Sequence, residues 1–124
     1  MRISINAKNI ELTPTLEVHI EEKFTSHIRR LVEKKNDVDL PLLHLEVGRS
    51  TRHHKKGNVY YAEANLNLGK TVFYAKAEHG DVYAACDSLR DEMEREIKEF
   101  SGRRQALQKR GARMAKEEMK GGED

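Results

Sequence analysis

The chain of 124 residues has the length of one domain with a modest single core, and its 35% charged and 37% hydrophobic content, with no tryptophan, suits a small, strongly hydrated fold. One cysteine excludes an internal disulfide framework, and no apolar run approaches the roughly 18 residues of a membrane span. The N-terminus, MRISINAKNIEL, alternates from its first residues and lacks a signal-peptide core, so a cytoplasmic protein is expected.

Arg2 to Lys8 places Ile3, Ile5 and Ala7 on one face and predicts the first strand. Thr13-Pro14 then supplies an N-cap and a proline at the first helical position, where its missing N–H costs nothing. The helix they open is expected to run to about Lys35 and to close at Asn36-Asp37. Leu16, Ile20, Phe24, Ile28 and Leu31 form its buried stripe. After Leu40-Pro41, Leu43, Leu45 and Val47 alternate with His44 and Glu46 as a second strand. A basic segment follows, ending in the turn signal Gly57-Asn58. Tyr60, Ala62, Ala64, Leu66 and Leu68 mark a longer third strand, and Gly69-Lys70 turns it into an antiparallel fourth. There Phe73, Ala75 and Ala77 alternate with Tyr74, Lys76 and Glu78. His79-Gly80 breaks that strand, and Asp81 is the expected N-cap of a last helix. Val82, Ala85, Cys86, Leu89, Met93 and Ile97 recur along it at helical spacing, with small Ala84 and Ala85 allowing close approach to another backbone. The helix is expected to end near Phe100, stopped by Gly102.

Residues 102–124 hold few large apolar side chains and no clear amphipathic stripe. They are expected to be a largely disordered tail with transient helix around Ala112 to Met119, outside a folded domain of residues 1–101. Two helices covering one face of a four-stranded sheet bury both helical stripes economically. The predicted class is therefore α+β, in the order β-α-β-β-β-α, with a disordered basic C-terminal tail.

The net charge of +2 conceals an uneven distribution. Arg49 to Lys56 holds four Lys/Arg and no acid, and Arg103 to Lys116 holds six and no acid. Setting those ten cations aside leaves −8 on the remainder, so an acidic body carries two basic appendages. A third basic feature lies on the first helix. At about 100° per residue, His19, Lys23, His27, Arg30 and Lys34 fall on one side of its apolar stripe, while Glu17, Glu21, Glu22 and Glu33 project elsewhere. An ordinary solvated helix side explains such a row; so does a surface that follows a phosphate backbone.

Catalytic and metal chemistry find little support. His53 and His54 are adjacent and diverge, and His19 and His27 lie about two turns apart, too far for one ion. Cys86 sits on an apolar stripe, where cysteine acts as a small hydrophobe. Gly-rich phosphate loops and Gly-x-Ser-x-Gly elbows are absent from the sequence. The last helix interleaves Glu92, Arg95 and Glu99 at ion-pair spacing. Neither an active site, a cofactor, a metal nor a small-molecule substrate is expected. Phosphate-directed charge without a base-reading device suits structured RNA. Tyr61 and Tyr74 are expected on the sheet face away from the helices, where they can stack bases or, more ordinarily, pair with each other across strands.

The stretch Asp81 to Leu89, DVYAACDSL, resembles the signature of the ribosome hibernation-promoting factors, also called ribosomal subunit interface proteins: aspartate, an apolar residue, Tyr-Ala-Ala, any residue, Asp, any residue, Leu. There too it opens the last helix, and the element order is similar over about residues 1–100. The resemblance implies a protein that binds ribosomal RNA of the small ribosomal subunit, in the channel between head and platform where messenger and transfer RNA sit. Translation would then be blocked by steric occlusion, without a reaction. Lys23 matches a lysine usual in the first helix of the family. The lysine-rich end usual in the last helix is replaced here by Arg95-Glu96-Ile97-Lys98-Glu99-Phe100-Ser101. The expected RNA-binding residues are Lys23, His27, Arg30 and Lys34 on the first helix and Arg49, Arg52, His53, His54, Lys55 and Lys56 in the basic segment. Arg95 and Lys98 on the last helix and Arg103 and Arg104 at the start of the tail complete the set. A monomer is expected when free, since the tail is too short for the dimerising domain of the long family members. Two alternatives stay open: a general double-stranded RNA-binding module, and a non-enzymatic protein-interaction module that uses the acidic body.

Overall fold

The computed structural model describes residues 1–33, 41–50 and 59–121. Among them four strands, β1 (Arg2–Lys8), β2 (Leu42–Arg49), β3 (Tyr60–Leu68) and β4 (Thr71–His79), form one sheet in the order β1-β2-β3-β4. β1 and β2 run parallel, joined by the helical crossover such a pair requires, and the other neighbours are antiparallel. Gly69 takes the left-handed φ of 59° that lets β3 reverse into β4. The strand alternation reads through to burial. Leu43, Leu45, Val47, Ala62, Ala64, Leu66, Phe73 and Ala75 point into the core, whereas Ile3, Ile5 and Ala7 of edge strand β1 are only half-buried.

One glycine is required by space rather than by conformation. Gly48 lies beside Lys8 in register, and a Cβ there would stand 2.6 Å from the Lys8 carbonyl oxygen. The same Cβ would meet Tyr61 Oη at 2.7 Å and Cε1 at 2.8 Å, so the Tyr61 side chain reaches across the sheet only because residue 48 has no side chain.

The first helical segment starts as expected: Thr13 Oγ1 accepts from the Leu16 N–H at 3.2 Å, and Pro14 occupies the first turn. It then departs from a straight α-helix. α1 (Pro14–His19) passes through a π-helical stretch, Ile20–Thr25, before α2 (Ser26–Glu33). The buried residues are Leu16, Ile20, Phe24, Ile28 and Val32, a strict four-residue repeat; Leu31 is only partly buried. In a straight helix four such steps would drift by roughly 160°. The wider π turn absorbs the drift and keeps the stripe on the sheet, which is why Val32 takes the place expected for Leu31. The expected end at Lys35 and the turn Asn36-Asp37 lie outside the described residues.

α3 (Val82–Gly121) opens on Asp81, whose Oδ2 accepts from the Ala84 N–H at 3.1 Å. It packs mainly over β4 and β3, burying Ala85, Cys86, Leu89, Met93 and Ile97. Phe100 sets its ring edge-on against Phe73 at 5.4 Å and is the last residue packed on the core. The expected stop at Gly102 is corrected, because the helix runs through it to Gly121. A glycine inside a helix costs only about 1 kcal/mol relative to alanine, and the flanking Arg, Gln, Ala, Leu and Lys are good helix formers. Beyond Phe100 the helix stands clear of the core, with Leu107 at 65% exposure. The side chains described from residue 102 onwards are exposed, so helix propensity rather than burial supports this extension.

Candidate nucleic-acid interface

Following the first helical segment from its cap, the flank expected to carry unpaired base meets α3. His19 Nε2 lies 3.0 Å from Asp87 Oδ1, with its ring edge-on to Tyr83 at 5.0 Å. His27 Nε2 lies 2.9 Å from Glu94 Oε2, but too far off line for a good hydrogen bond, so this contact is chiefly electrostatic. Both pairs rise together along the chain, so the two helical segments run parallel and are joined by histidine–carboxylate contacts. The acids in these contacts come from the other helix, not from Glu17, Glu21 or Glu22. His27, expected at the RNA, faces the seam. Asp87 and Glu94 are seven residues apart and thus lie on one helix face, the only sequence signal that could have revealed them.

Glu94 gathers a second basic side chain. Lys98 Nζ stands 2.7 Å from Glu94 Oε1, and this bond first, then His27, lowers the Glu94 carboxyl below its ordinary value. One turn away Arg95 pairs with Glu92 at 3.2 Å. The two expected cations of the last helix are therefore already engaged. Lys23 and Arg30 are exposed and make no ion pair among the described residues.

These bases do not all share one end of the molecule. His27 and Arg30 lie in α2, and Arg95 and Lys98 lie midway along α3, beside the Glu94 that His27 meets. Arg49 ends β2, beside Tyr60 and His79 in register and next to the start of α3. Sixteen residues of α3 separate Val82 from Lys98, about 24 Å. Arg103 is exposed on the helical extension, and Arg104 lies on the same helix. Lys34, Arg52, His53, His54, Lys55 and Lys56 lie outside the described residues.

The open face of the sheet has a different character. Tyr61 donates to Glu46 Oε2 at 2.9 Å and Tyr74 to Glu63 Oε2 at 2.9 Å, so neither pairs with the other as expected. In register Tyr61 sits opposite Glu78 and Tyr74 opposite Asn65. Burial first, then the Glu46 carboxylate, pushes the Tyr61 hydroxyl up to about 12, and the same hydrogen bond holds Glu46 below its ordinary value. Lys76 lies over the Tyr61 ring at 5.3 Å. Carboxylates beside both rings repel a phosphate backbone and make this face a poor platform for bases.

Residues 3–105 match the model of the family described as Sigma 54 modulation protein / S30EA ribosomal protein. The chain belongs to that family. A ribosome hibernation promotion factor from Deinococcus radiodurans is 27% identical over 99 residues, covering 80% of this chain and 48% of that protein. The chain thus spans about half the length of that relative. A ribosome hibernation promoting factor from Klebsiella oxytoca is 30% identical over 97 residues, covering 78% of this chain and 90% of its own. The fold is shared with the N-terminal domain of Thermus thermophilus Protein Y at a TM-score of 0.62 and 22% identity, over 81% of this chain and 99% of that one. A ribosomal subunit interface protein from Coxiella burnetii has the same TM-score at 19% identity, over 82% and 99%. Within the family signature, Asp81 caps α3, Tyr83 packs on His19 and Asp87 pairs with it, so the motif builds the seam between the helical segments.

Proposed function

We propose that the chain is a ribosome hibernation factor: it binds the small ribosomal subunit through ribosomal RNA, in the channel used by messenger and transfer RNA, and silences an idle ribosome by occupying that space. The match to the family model over residues 3–105 carries this reading. Exposed Lys23 and Arg30, without an ion pair among the described residues, and the acid-free segment from Arg49 to Lys56 supply the phosphate-directed charge. Residues 1–101 act as the ribosome-binding domain, with 102–124 a basic tail that adds charge. Occlusion needs shape and contact alone, so no residue is assigned a chemical step.

Co-sedimentation with purified small and large subunits tests the proposal. Binding is expected to the small subunit and to fall when its decoding channel is pre-filled. If about six Lys/Arg neutralise phosphates, affinity should drop roughly a thousandfold between about 50 and 200 mM salt. Equal pelleting with both subunits, or with plain RNA duplex, would replace occlusion by general RNA binding; a flat salt response would point to a protein partner.

A further inference from the structure

We propose that the free edge of β1, with the groove beside it, docks an extended basic peptide segment of another protein as a fifth strand. This inference is independent of the ribosome reading. The Arg2 N–H donates to the Pro41 carbonyl at 2.9 Å, so Arg2, Ser4, Asn6 and Lys8 turn their backbone groups towards β2. By alternation Ile3, Ile5 and Ala7 present N–H and C=O at the outer edge, where the sheet has no further strand among the described residues. Devices that usually protect such an edge are missing: β1 has no proline, and its charges stand only at its two ends. Its inward-facing side chains remain half-exposed for want of a neighbour.

Beside this edge lies a groove of about 390 Å³ between Ile3 and the helical flank of Glu21, Glu22, Thr25, Ser26 and Arg29. Thr25, 3% exposed, lines it, and the buried Thr25 hydroxyl has no hydrogen-bond partner among the described residues. A buried hydroxyl left unpaired is costly, and a polar group of an incoming chain would satisfy it. Glu21 and Glu22 on the wall are exposed, and their carboxylates make no ion pair among the described residues. A lysine or arginine on the inward side of an added strand could lay its stem along Ile3 and bring its charge to these acids. Arg29 at the same groove can donate to the strand's carbonyl groups.

The charges also choose the occupant. A second copy pairing antiparallel about Ile5 would set Arg2 opposite Lys8, a repulsive cross-strand pair. RNA would meet Glu21 and Glu22 with its phosphates. An extended basic peptide avoids both conflicts and uses the recognition mode of strand addition.

The probe is a fluorescein-labelled, end-capped octapeptide alternating Lys with Val and Thr, titrated by anisotropy and by amide NMR. Saturable binding is expected, with the largest amide shifts at Ile3, Ile5 and Ala7. Ala7→Pro removes an outward N–H while leaving the β1–β2 ladder intact, and should weaken binding roughly tenfold or more. Should that variant misfold in a thermal melt, the decision passes to Glu21→Lys with Glu22→Lys, exposed changes expected to weaken binding to the same degree. The proposal is overturned if a Glu-containing counterpart peptide binds equally, if the shifts centre elsewhere, or if folded variants bind unchanged. It is also overturned if an oligouridylate, rather than the peptide, perturbs the β1 amides.

Discussion

Replacing Gly48 by alanine tests the packing between β1 and the open face directly. The new Cβ would stand 2.6 Å from the backbone oxygen of Lys8 and 2.7 and 2.8 Å from two atoms of Tyr61. A tyrosine can swing away, but the Lys8 carbonyl, in the last pair of the parallel ladder, shifts only with the backbone that carries it. Overpacking of this kind costs about 1–3 kcal/mol. Displacing Tyr61 also removes its hydrogen bond to Glu46, worth about 1 kcal/mol in this half-buried setting. A total near 3 kcal/mol should lower the melting temperature by roughly 12 °C, at about 4 °C per kcal/mol for a domain of this size.

The assay is thermal unfolding followed by circular dichroism, for Gly48→Ala, Tyr61→Ala and the double variant. Tyr61→Ala removes two of the three close contacts, so the alanine at 48 should cost less in its presence, with a coupling of about 1 kcal/mol. Additive effects, or a Gly48→Ala melt within about 2 °C of the parent, would refute the claim that Tyr61 occupies the space a side chain would need.

Three further outcomes are expected. Lys23→Glu with Arg30→Glu should weaken ribosome binding far more than Arg95→Glu with Lys98→Glu in the pelleting assay, because the second pair already holds Glu92 and Glu94; melts should move little, typically within about 0.5 kcal/mol per exposed substitution. The Glu94 carboxyl is held below its ordinary value by Lys98 and His27, so its stabilisation is complete above about pH 4.5 and is lost as pH falls through the lower folded value. Urea midpoints measured from neutral pH to about pH 3 should therefore fall more steeply in the parent than in Glu94→Gln, and parallel curves would contradict the assignment. Gly102→Ala meets no atom within 4 Å and removes a helix penalty of about 1 kcal/mol, so it should raise helical circular dichroism without shifting the core's melt.

The elements legible in the sequence were those fixed by local physics. Alternation located all four strands, and the side-chain oxygens of Thr13 and Asp81 marked both helix starts. What escaped depends on partners distant in the chain. A strict four-residue repeat from Leu16 to Val32 is itself a hint of underwinding, but Leu31 and Val32 are both apolar, and only the sheet beneath decides between them. Tyr61 finds Glu46 on the neighbouring strand, a contact that requires the β2–β3 register. Gly102 does not stop the helix because a glycine does so only where the chain has something to turn towards, and Phe100 is the last described side chain packed on the core.

The misread flank has the larger consequence. A row of bases on one helix looks unopposed for as long as the second helix is out of view; once α3 lies beside it, His19 and His27 meet Asp87 and Glu94, while Lys23 and Arg30 stay exposed. The acids of α3 thus have more than one destination. Glu94 ties the two helical segments together and draws Lys98 back onto the protein, while Glu92 holds Arg95. A cation bound in this way releases fewer counterions on meeting phosphate. Lys23 and Arg30 on the first helical segment, by contrast, are exposed and make no ion pair among the described residues. If the proposed RNA contacts hold, neutralising Glu94 should loosen the seam and release Lys98, so seam stability and ribosome binding should respond in opposite directions.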